Sequence, residues 1–406
     1  MDLKSGYPFW AVKNGLMHAF PRLEKDTVCD VAIVGGGITG TLIAQELSAH
    51  DFDVVVLEQR DIGWGSTSAS TALLQYEIDT PMMDLARDYG EDNAVLAYKA
   101  CATAITDLQQ LARSVKDVGF AQQKSLYYAS RRQDLVRMTA EFELRRKHGF
   151  EMEWLDATEL TDRYRLTAPG AILSALAARM DPYRMAYRLL ARLARAGVGI
   201  YDRTAVTSIR PHAKGVRLTT QTGHTVRCRH VVMAAGYANE KWLSRTVAKN
   251  RSSYAFITDP VDPQVLGPFA STLVWESARP YVYMRSTGDH RLLIGGEDDD
   301  IDVPKRRDRR VESKAQKLIQ KVQRRLPHLS LQPAFCWAGT FAETKDGLPF
   351  FGPHPERGPR VLFAMAYGGN GISYSSIGAG LLRAHLQRRP HPLSTLFGFD
   401  RLKKMS

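Results

Sequence analysis

Residues 35–40, Gly-Gly-Gly-Ile-Thr-Gly, have the types and the spacing of a dinucleotide-binding turn, G-x-G-x-x-G. In such a turn Gly35 permits the sharp change of direction, and Gly37 lets the backbone approach a pyrophosphate. Gly40 allows a helix to pack closely against a strand. The N-terminus of that helix would present N–H groups and a positive dipole to phosphate. The chemistry predicted here is the binding of a dinucleotide.

The turn needs a strand before it and a helix after it, and the flanking residues predict both. Residues 30–34 are apolar and β-branched, as expected of a buried parallel strand. Apolar residues recur at helical spacing over 38–49, and a second apolar run follows at 53–57, which completes a βαβ unit. Glu58 ends the second strand, where a carboxylate accepts hydrogen bonds from a ribose and disfavours NADP. The turn alone does not separate FAD from NAD.

The remaining chain alternates helical and strand patterns. It begins with an aromatic stretch that includes Trp10 and Phe20, and we expect this stretch to pack on the body of the protein. The nucleotide-binding pieces lie at the beginning, the middle and the end of the chain. The other predicted elements are helices at 82–115, 131–148, 184–196 and 373–386, strands at 125–129, 206–209, 215–220, 225–229, 230–236 and 361–366, and a β-rich region at 254–300.

Composition bounds the class of protein. The chain has 406 residues, 44% of them hydrophobic, and is long enough for two domains. It contains no apolar run of about eighteen residues that would span a membrane, and its first residues lack the apolar stretch of a secretory signal. Four widely spaced cysteines show no metal-ligand or redox spacing, so we expect free thiols and no metal site. These features predict a soluble, cytoplasmic protein.

The net charge of +12 raises the question of a polyanionic partner. The densest basic runs lie at 305–310 and 321–325, where residues 311–326 predict an amphipathic surface helix. A solvated helical face is the favoured interpretation. Nucleic acid stays open as an alternative partner.

Four segments together resemble the FAD-dependent amine and amino-acid oxidoreductases grouped around D-amino-acid oxidase, glycine oxidase and sarcosine oxidase. They are the turn with Glu58, the small-residue loop 61–70, the strand 232–236, and residues 337–349 with the glycine loop 366–372. The resemblance implies an α/β plus α+β fold, with a Rossmann-like FAD-binding domain of the glutathione-reductase type. A second, mainly antiparallel β-sheet domain would bind substrate. The domains implied are 1–85, 170–248 and 334–406 for FAD, and 86–169 and 249–333 for substrate.

The resemblance also assigns residues to noncovalently bound FAD. The position that carries the flavin-linking cysteine in sarcosine oxidases falls on Gly339, and Cys336 is three residues out of register. The glycine loop would aim N–H groups at the charge of reduced flavin, with help from Lys345. The implied FAD-binding residues are Gly35, Gly37, Ile38, Thr39, Gly40, Glu58, Gln59, Arg60, Ser66, Thr67, Ser68, Ala69, Val206, Ala235, Gly236, Gly339, Gly368, Gly369, Asn370, Gly371 and Ile372.

The substrate side departs from the family. The carboxylate-binding arginine of glycine oxidase falls on Phe341, which cannot replace it, so the substrate is an amine without an α-carboxylate or its anion is held elsewhere. Arg285 is the candidate for that role, and support of the sheet is the alternative. Tyr281, followed by Tyr283 and Tyr254, is expected to line the substrate pocket, where aromatic walls suit an amine, and Phe341 is expected to line it with them.

The implied reaction is hydride transfer from the carbon next to an amine nitrogen to flavin N5, and the resulting imine is hydrolysed. This chemistry needs alignment more than a strong base, which fits the lack of a recognisable catalytic histidine. The lysine that activates O₂ in sarcosine oxidases is replaced by Leu293, so O₂ and an electron carrier both stay open as acceptors. The alternatives are a 2-hydroxy-acid dehydrogenase, a tRNA-modifying flavoprotein and a flavin-carrying protein without enzymatic activity.

Overall fold

Two β-sheets organise the chain, which the computed structural model describes over residues 3–405. The strands are β1 (Lys4–Gly6), β2 (Thr27–Val34), β3 (Val54–Leu57), β4 (Leu73–Gln75), β5 (Ala121–Tyr128), β6 (Met152–Asp156), β7 (Gly170–Arg179), β8 (Gly199–Tyr201), β9 (Val206–His212), β10 (Gly215–Thr220), β11 (Thr225–Met233), β12 (Lys249–Pro260), β13 (Thr272–Glu276), β14 (Val282–Ser286), β15 (Arg291–Asp299), β16 (Pro333–Glu343), β17 (Phe350–Pro353) and β18 (Val361–Met365). The α-helices are α1 (Phe9–Asn14), α2 (Ile38–Ser48), α3 (Ser66–Ala69), α4 (Met82–Tyr89), α5 (Glu91–Val115), α6 (Asp134–Lys147), α7 (Ala157–Tyr164), α8 (Pro182–Arg195), α9 (Pro263–Leu266), α10 (Pro304–Asp308), α11 (Val311–Arg325), α12 (Gly371–Leu386) and α13 (Leu402–Met405).

The smaller sheet contains the predicted βαβ unit. Its order is β17-β18-β11-β2-β3-β8, and the strands from β18 to β8 are mutually parallel. All four residues of β3 are buried, as expected of a parallel strand covered on both faces. The antiparallel strands β9 and β10 lead into β11, so the predicted meander and the apolar strand after it are confirmed. β11 is one continuous strand rather than the two predicted segments.

The larger sheet follows the order β1-β16-β12-β15-β14-β13-β5-β7-β4, with β6 paired to β7. Among the described strands of this sheet, only β13 and β5 pair in parallel, and the other neighbours are antiparallel. The strands β7 and β16 belong to this sheet, although the predicted boundaries at 170 and 334 assign their residues to FAD binding. The division into domains stays a prediction.

The helices cover the sheets much as their apolar spacing predicts. α2 packs against α8 and α12, and α12 also packs against α5. The predicted helix 82–115 is divided at Gly90, whose φ of +88° is unsuited to a continuous helix. One buried core joins Val31 of the smaller sheet to Leu293 and Trp337 of the larger sheet, so the two sheets share a packed interior.

The N-terminal stretch packs on the body, as predicted. β1 pairs with the edge of β16, and α1 buries Phe9 and Trp10. The Trp10 indole N–H donates to the carbonyl of Ser70 at 2.7 Å. Phe20 is also buried. This stretch therefore contributes to the interior beside the small-residue loop.

The basic runs flank and include the surface helix α11, whose Leu318, Ile319 and Val322 face the core. Lys314 and Lys321 both pair with Glu297, at 3.3 and 2.5 Å. These contacts support the interpretation of a helical face that is partly neutralised within the protein. No helix among the described residues is long and apolar enough to cross a membrane.

A buried ion cluster connects helix α6 to Glu77, which lies two residues after β4. The Arg145 guanidinium donates to Glu141 at 2.7 Å and lies 3.9 Å from Glu77, and all three side chains are almost fully buried. Glu141 also accepts the backbone N–H groups of Met82 and Met83, at the start of α4. Removal of the arginine would leave two carboxylates buried without a counter-charge.

We therefore expect Arg145→Met to lower the free energy of unfolding by about 3–5 kcal/mol, the range for removing one partner of a buried pair. The matched control is Arg146→Met, because the neighbouring arginine is exposed and pairs with exposed Glu143. That change should cost about 0–1 kcal/mol. Urea denaturation, monitored by tryptophan fluorescence, measures the free energy of unfolding of both variants. Equal losses of unfolding free energy in the two variants would show that the buried cluster contributes little to stability.

Candidate active site

One cavity lies between the two sheets and runs from the glycine turn to the inner face of the larger sheet. At one end it is lined by Gly35 and Glu58, and at the other by Trp275 and Tyr281. The glycine loop before α12, including Gly369, also lines the cavity, between these two ends. The cavity thus joins the predicted cofactor residues to the predicted substrate residues.

The glycine turn requires the absence of side chains. Gly35 has a φ of +121°, and a Cβ there would collide with the carbonyl of Ala234 on the neighbouring chain segment. A Cβ at Gly40 would collide with the carbonyl of Gly35. These contacts bring the start of α2 against the ends of β2 and β11, so that the first N–H groups of the helix lie at the cavity.

Glu58 is fixed at the end of β3 by the backbone. Its carboxylate accepts the N–H of Gly36 at 2.8 Å and the N–H of Arg60 at 2.9 Å. Burial raises the pKa of Glu58, and these two hydrogen bonds oppose that rise. A carboxylate has about four acceptor positions, so two remain for the hydroxyls of a ribose. Glu58 lines the cavity, which fits that role.

The loop 61–70 supplies polar groups to the same end. The Thr67 hydroxyl accepts the N–H of Ile38 at 2.9 Å, which fixes the loop to the start of α2. Ser66 and Arg60 line the cavity, and the Ser66 Oγ and Arg60 Nε atoms are buried without a hydrogen-bond partner among the described residues. Buried polar groups normally have partners. A hydroxyl and a guanidinium left in this state fit the phosphates of a bound dinucleotide.

The cavity gathers nearly all of the predicted FAD-binding residues. Gly40 and Ser68 are the exceptions. Gly40 packs on the Gly35 backbone, and the Ser68 hydroxyl donates to the carbonyl of Gly65 at 2.9 Å. The predicted residues that line the cavity are Gly35, Gly37, Ile38, Thr39, Glu58, Gln59, Arg60, Ser66, Thr67, Ala69, Val206, Ala235, Gly236, Gly339, Gly368, Gly369, Asn370, Gly371 and Ile372.

The glycine loop lines the cavity, but two of its N–H groups already have acceptors. Gly368 donates to the carbonyl of Ala342 at 2.8 Å, and Gly369 donates to the Asp79 carboxylate at 2.7 Å. The N–H groups left to face a flavin are therefore those at the start of α12. Lys345 is exposed and does not line the cavity, so the expectation that it assists is not supported. It lies in the turn after β16, outside the cavity wall.

Aromatic side chains form the substrate end. Tyr281, Tyr283 and Phe341 line the cavity as predicted, and Trp275 joins them. The rings of Tyr281 and Tyr283 lie 5.6 Å apart. The Tyr283 ring crosses β15 at Gly295, where a Cβ would collide with it. Glycine at this position therefore lets the tyrosine lie across the strand.

Arg285 and Tyr254 lie elsewhere. The Arg285 guanidinium donates to the carbonyls of Thr71, Ser286 and Met180 at 2.6–3.1 Å, and burial lowers its pKa to about 9. This is the alternative interpretation, an arginine that supports the sheet. The Tyr254 hydroxyl donates to Asp299 at 3.2 Å, on the face covered by α11.

Two carboxylates at the substrate end escaped the sequence analysis. Asp79 and Asp298 both line the cavity. On β15 side chains alternate, and regular alternation would place Glu297 on the cavity side. Glu297 instead has a φ of +55° beside an irregularity in the pairing of β12 with β15, and its carboxylate pairs with α11. This bulge turns Asp298 to the cavity.

Comparison with known proteins identifies the family. The family model described as DAO, FAD dependent oxidoreductase, matches residues 30–385. This chain belongs to that family. Glycine oxidase from Bacillus licheniformis is 30% identical over 358 residues, with 84% of this chain and 89% of the relative covered. Glycine oxidase from Geobacillus kaustophilus is 29% identical over 385 residues, covering 91% and 96%.

Solved structures confirm the fold. The crystal structure of glycine oxidase from Geobacillus kaustophilus has a TM-score of 0.76 to this chain, at 22% identity, and covers 92% of this chain and 98% of its own. The family membership makes this chain an FAD-dependent oxidoreductase. The buried, unpartnered groups of Ser66 and Arg60 and the fixed carboxylate of Glu58 fit that cofactor.

The Asp79 carboxylate, which accepts the Gly369 N–H of the glycine loop, leads to a prediction about the flavin environment. Sulfite adds to oxidised flavin to give an anionic adduct, which a nearby negative charge disfavours. We expect Asp79→Asn to bind sulfite about fivefold more tightly, the factor that corresponds to about 1 kcal/mol of charge repulsion removed. The amide oxygen can still accept the Gly369 N–H. Bleaching of the flavin band by sulfite gives the affinity.

The control for this change is Asp162→Asn, which removes an exposed carboxylate from α7. It should leave the sulfite affinity as it is. Equal or weaker sulfite binding by Asp79→Asn would show that this carboxylate does not act on the flavin.

Proposed function

We propose that the protein oxidises an amine or amino-acid-like substrate at the carbon next to nitrogen. Bound FAD supplies the acceptor for the hydride that leaves this carbon. The substrate becomes an imine, and water hydrolyses the imine to a carbonyl compound and a smaller amine or ammonia. O₂ or an electron carrier then takes the electrons. The observation that carries the proposal is one cavity lined both by the FAD-binding residues and by Tyr281, Tyr283, Phe341 and Trp275.

The roles of the protein in this reaction are binding and alignment. Aromatic walls hold an amine and exclude water around it, and cation–π attraction favours its charged form. The aromatic wall is itself fixed, because Trp275 stacks on Tyr127 with ring centres 3.8 Å apart. A fixed wall limits the orientations of the C–H bond that reacts. Relatives with names of this substrate class are the two glycine oxidases and gamma-glutamylputrescine oxidoreductase of Escherichia coli, which is 24% identical over 401 residues.

The hydroxy-acid alternative is weakened by the composition of the cavity. Oxidation of an alcohol needs a base for the hydroxyl proton, and histidine is the usual one. No histidine among the described residues lines the cavity. The tRNA-modifying alternative rests on the net charge of +12, and Lys314 and Lys321 of the surface helix reduce that charge locally because both pair with Glu297.

An anaerobic titration of the yellow holoprotein tests the proposal. Amines, amino acids and 2-hydroxy acids are added in turn, and the flavin absorbance is followed. We expect bleaching by at least one amine and by no hydroxy acid. Rapid recovery in air would identify an oxidase, and slow recovery a dehydrogenase with another acceptor. Bleaching by a hydroxy acid alone would overturn the amine assignment.

We further propose that FAD is held without a covalent bond. None of the four cysteines lines the cavity, and Gly339, at the family's tether position, lies with its Cα hydrogen directed at Ala69, where a Cβ would come within 3.2 Å. Acid precipitation of the holoprotein should therefore leave the yellow colour in the supernatant. Flavin that stays with the precipitate would contradict this proposal, and FAD content per chain measured beforehand serves as the reference.

A further inference from the structure

Two carboxylates line the substrate end of the cavity, and no basic side chain among the described residues lines that end. Asp79 and Asp298 line it, and neither forms an ion pair with another described residue. Among the described residues, the basic side chains in the cavity wall are Arg60 and Lys241. Arg60 lies beside Glu58, and Lys241 lies in the short helix after β11, so both belong to the side of the smaller sheet.

Asp298 has the features of a group that awaits a ligand. Its Oδ1 atom is buried and has no hydrogen-bond partner among the described residues. Burial raises the pKa of Asp298 to about 7, the Ser253 hydroxyl and Arg279 oppose the rise, and Asp79 and Glu343 add to it. A buried carboxylate oxygen without a partner is costly unless a cation or a donor completes it.

The walls around this carboxylate suit an organic cation. Tyr281 and Tyr283 present aromatic rings, and the Ser253 hydroxyl lies 3.4 Å from the Tyr283 hydroxyl. Rings attract an ammonium group, and a desolvated carboxylate pairs with it strongly. Phe341 lines the same end, where it offers an alkyl chain an apolar contact.

We propose that the substrate is an alkyl diamine or longer polyamine, and that Asp298 binds the ammonium group that does not react. This inference rests on the proposed function, because it names the substrate class of the same site. One nitrogen loses its proton so that the adjacent C–H bond can be oxidised, and the other stays charged. An acidic, aromatic pocket selects such a substrate over an amine with an uncharged tail.

A carboxylate on the substrate would be unfavourable in this pocket. Asp79 and Asp298 would repel a substrate carboxylate. Arg285, which is buried two residues after Tyr283, donates to three backbone carbonyls and is not available to bind it. Arg279 is exposed, stacks on Tyr281 at 4.4 Å and donates to the backbone carbonyl of Asp79. If the enzyme preferred ω-amino acids, Arg279 would be the group that binds the substrate carboxylate, and Asp298 would not be a site for an ammonium group.

The test compares three compounds of each chain length: an unbranched alkyl diamine, the monoamine with a methyl end and the ω-amino acid. Each is added anaerobically to the holoenzyme, and both bleaching and any shift of the oxidised flavin band are recorded. We expect the best diamine to exceed its monoamine by about tenfold in kcat/KM or in affinity, as for a charge-assisted hydrogen bond. The ω-amino acid should be the weakest of the three.

The variant is Asp298→Asn, which keeps the shape and removes the charge. Asp298→Asn should lower kcat/KM or affinity for the diamine about tenfold more than for the monoamine. Asp298→Glu, which keeps the charge, should retain part of the preference for the diamine. The control is Asp300→Asn, two residues along, whose exposed carboxylate pairs with Lys249 at 2.7 Å. This control should keep the diamine preference. If Asp298→Asn does not retain FAD, the comparison of compounds on the unmodified enzyme still decides.

The outcomes separate the two proposals. Binding of the diamine without bleaching, lost in Asp298→Asn, would support the cation site and remove the proposed oxidation. Bleaching by monoamines or ω-amino acids with no advantage for diamines would remove the cation site and keep the oxidation. Neither binding nor bleaching by any of the three classes would overturn the cation site, and the titration with α-amino acids would then decide the proposed oxidation.

Discussion

The close approach of backbone at Gly35 and Gly40 is the constraint on which the cavity depends. A Cβ at either position would collide with backbone. Because glycine has none, the start of α2, the end of β2 and the segment after β11 can meet at one point. The Trp337 indole N–H of β16 donates to the carbonyl of Ala69 at 2.9 Å and closes the larger sheet over the same junction. Segments distant in sequence thereby form one wall, and the cofactor site and substrate site become two ends of one cavity.

The nucleotide end was predictable from the sequence because its ligand constrains the backbone. A pyrophosphate needs glycines and helix N–H groups in a fixed order, and a ribose needs a carboxylate at the end of the next strand. Such demands leave short motifs, and the structure brings Glu58, Thr67 and the start of α2 together accordingly. The glycine loop was placed correctly, but the engagement of Gly369 with Asp79 depends on a contact between segments distant in sequence.

The substrate end was less predictable because its residues are placed by local irregularities and by packing. Arg285 has the type and the strand of a ligand-binding arginine, yet its donors are used by three backbone carbonyls. Asp298 lies in an acidic run that suggests a surface strand end, and the positive φ of Glu297 turns it inward. Alternation along a strand predicts the facing of a side chain only while the pairing is regular.

The two ends of the cavity use buried polar groups in the same way. At the nucleotide end the unpartnered groups are a hydroxyl and a guanidinium, which suit phosphate, and at the substrate end the unpartnered atom is a carboxylate oxygen. Burial raises the pKa of Asp298 from 3.8 to about 7, so the folded state binds the proton more tightly than the unfolded chain. Stability therefore falls as the pH rises through this interval, because ionisation opposes folding. A bound ammonium group favours the ionised carboxylate. At neutral pH the Asp298 carboxylate therefore lowers the stability of the folded protein when the site is empty and contributes to stability when the site holds a cation.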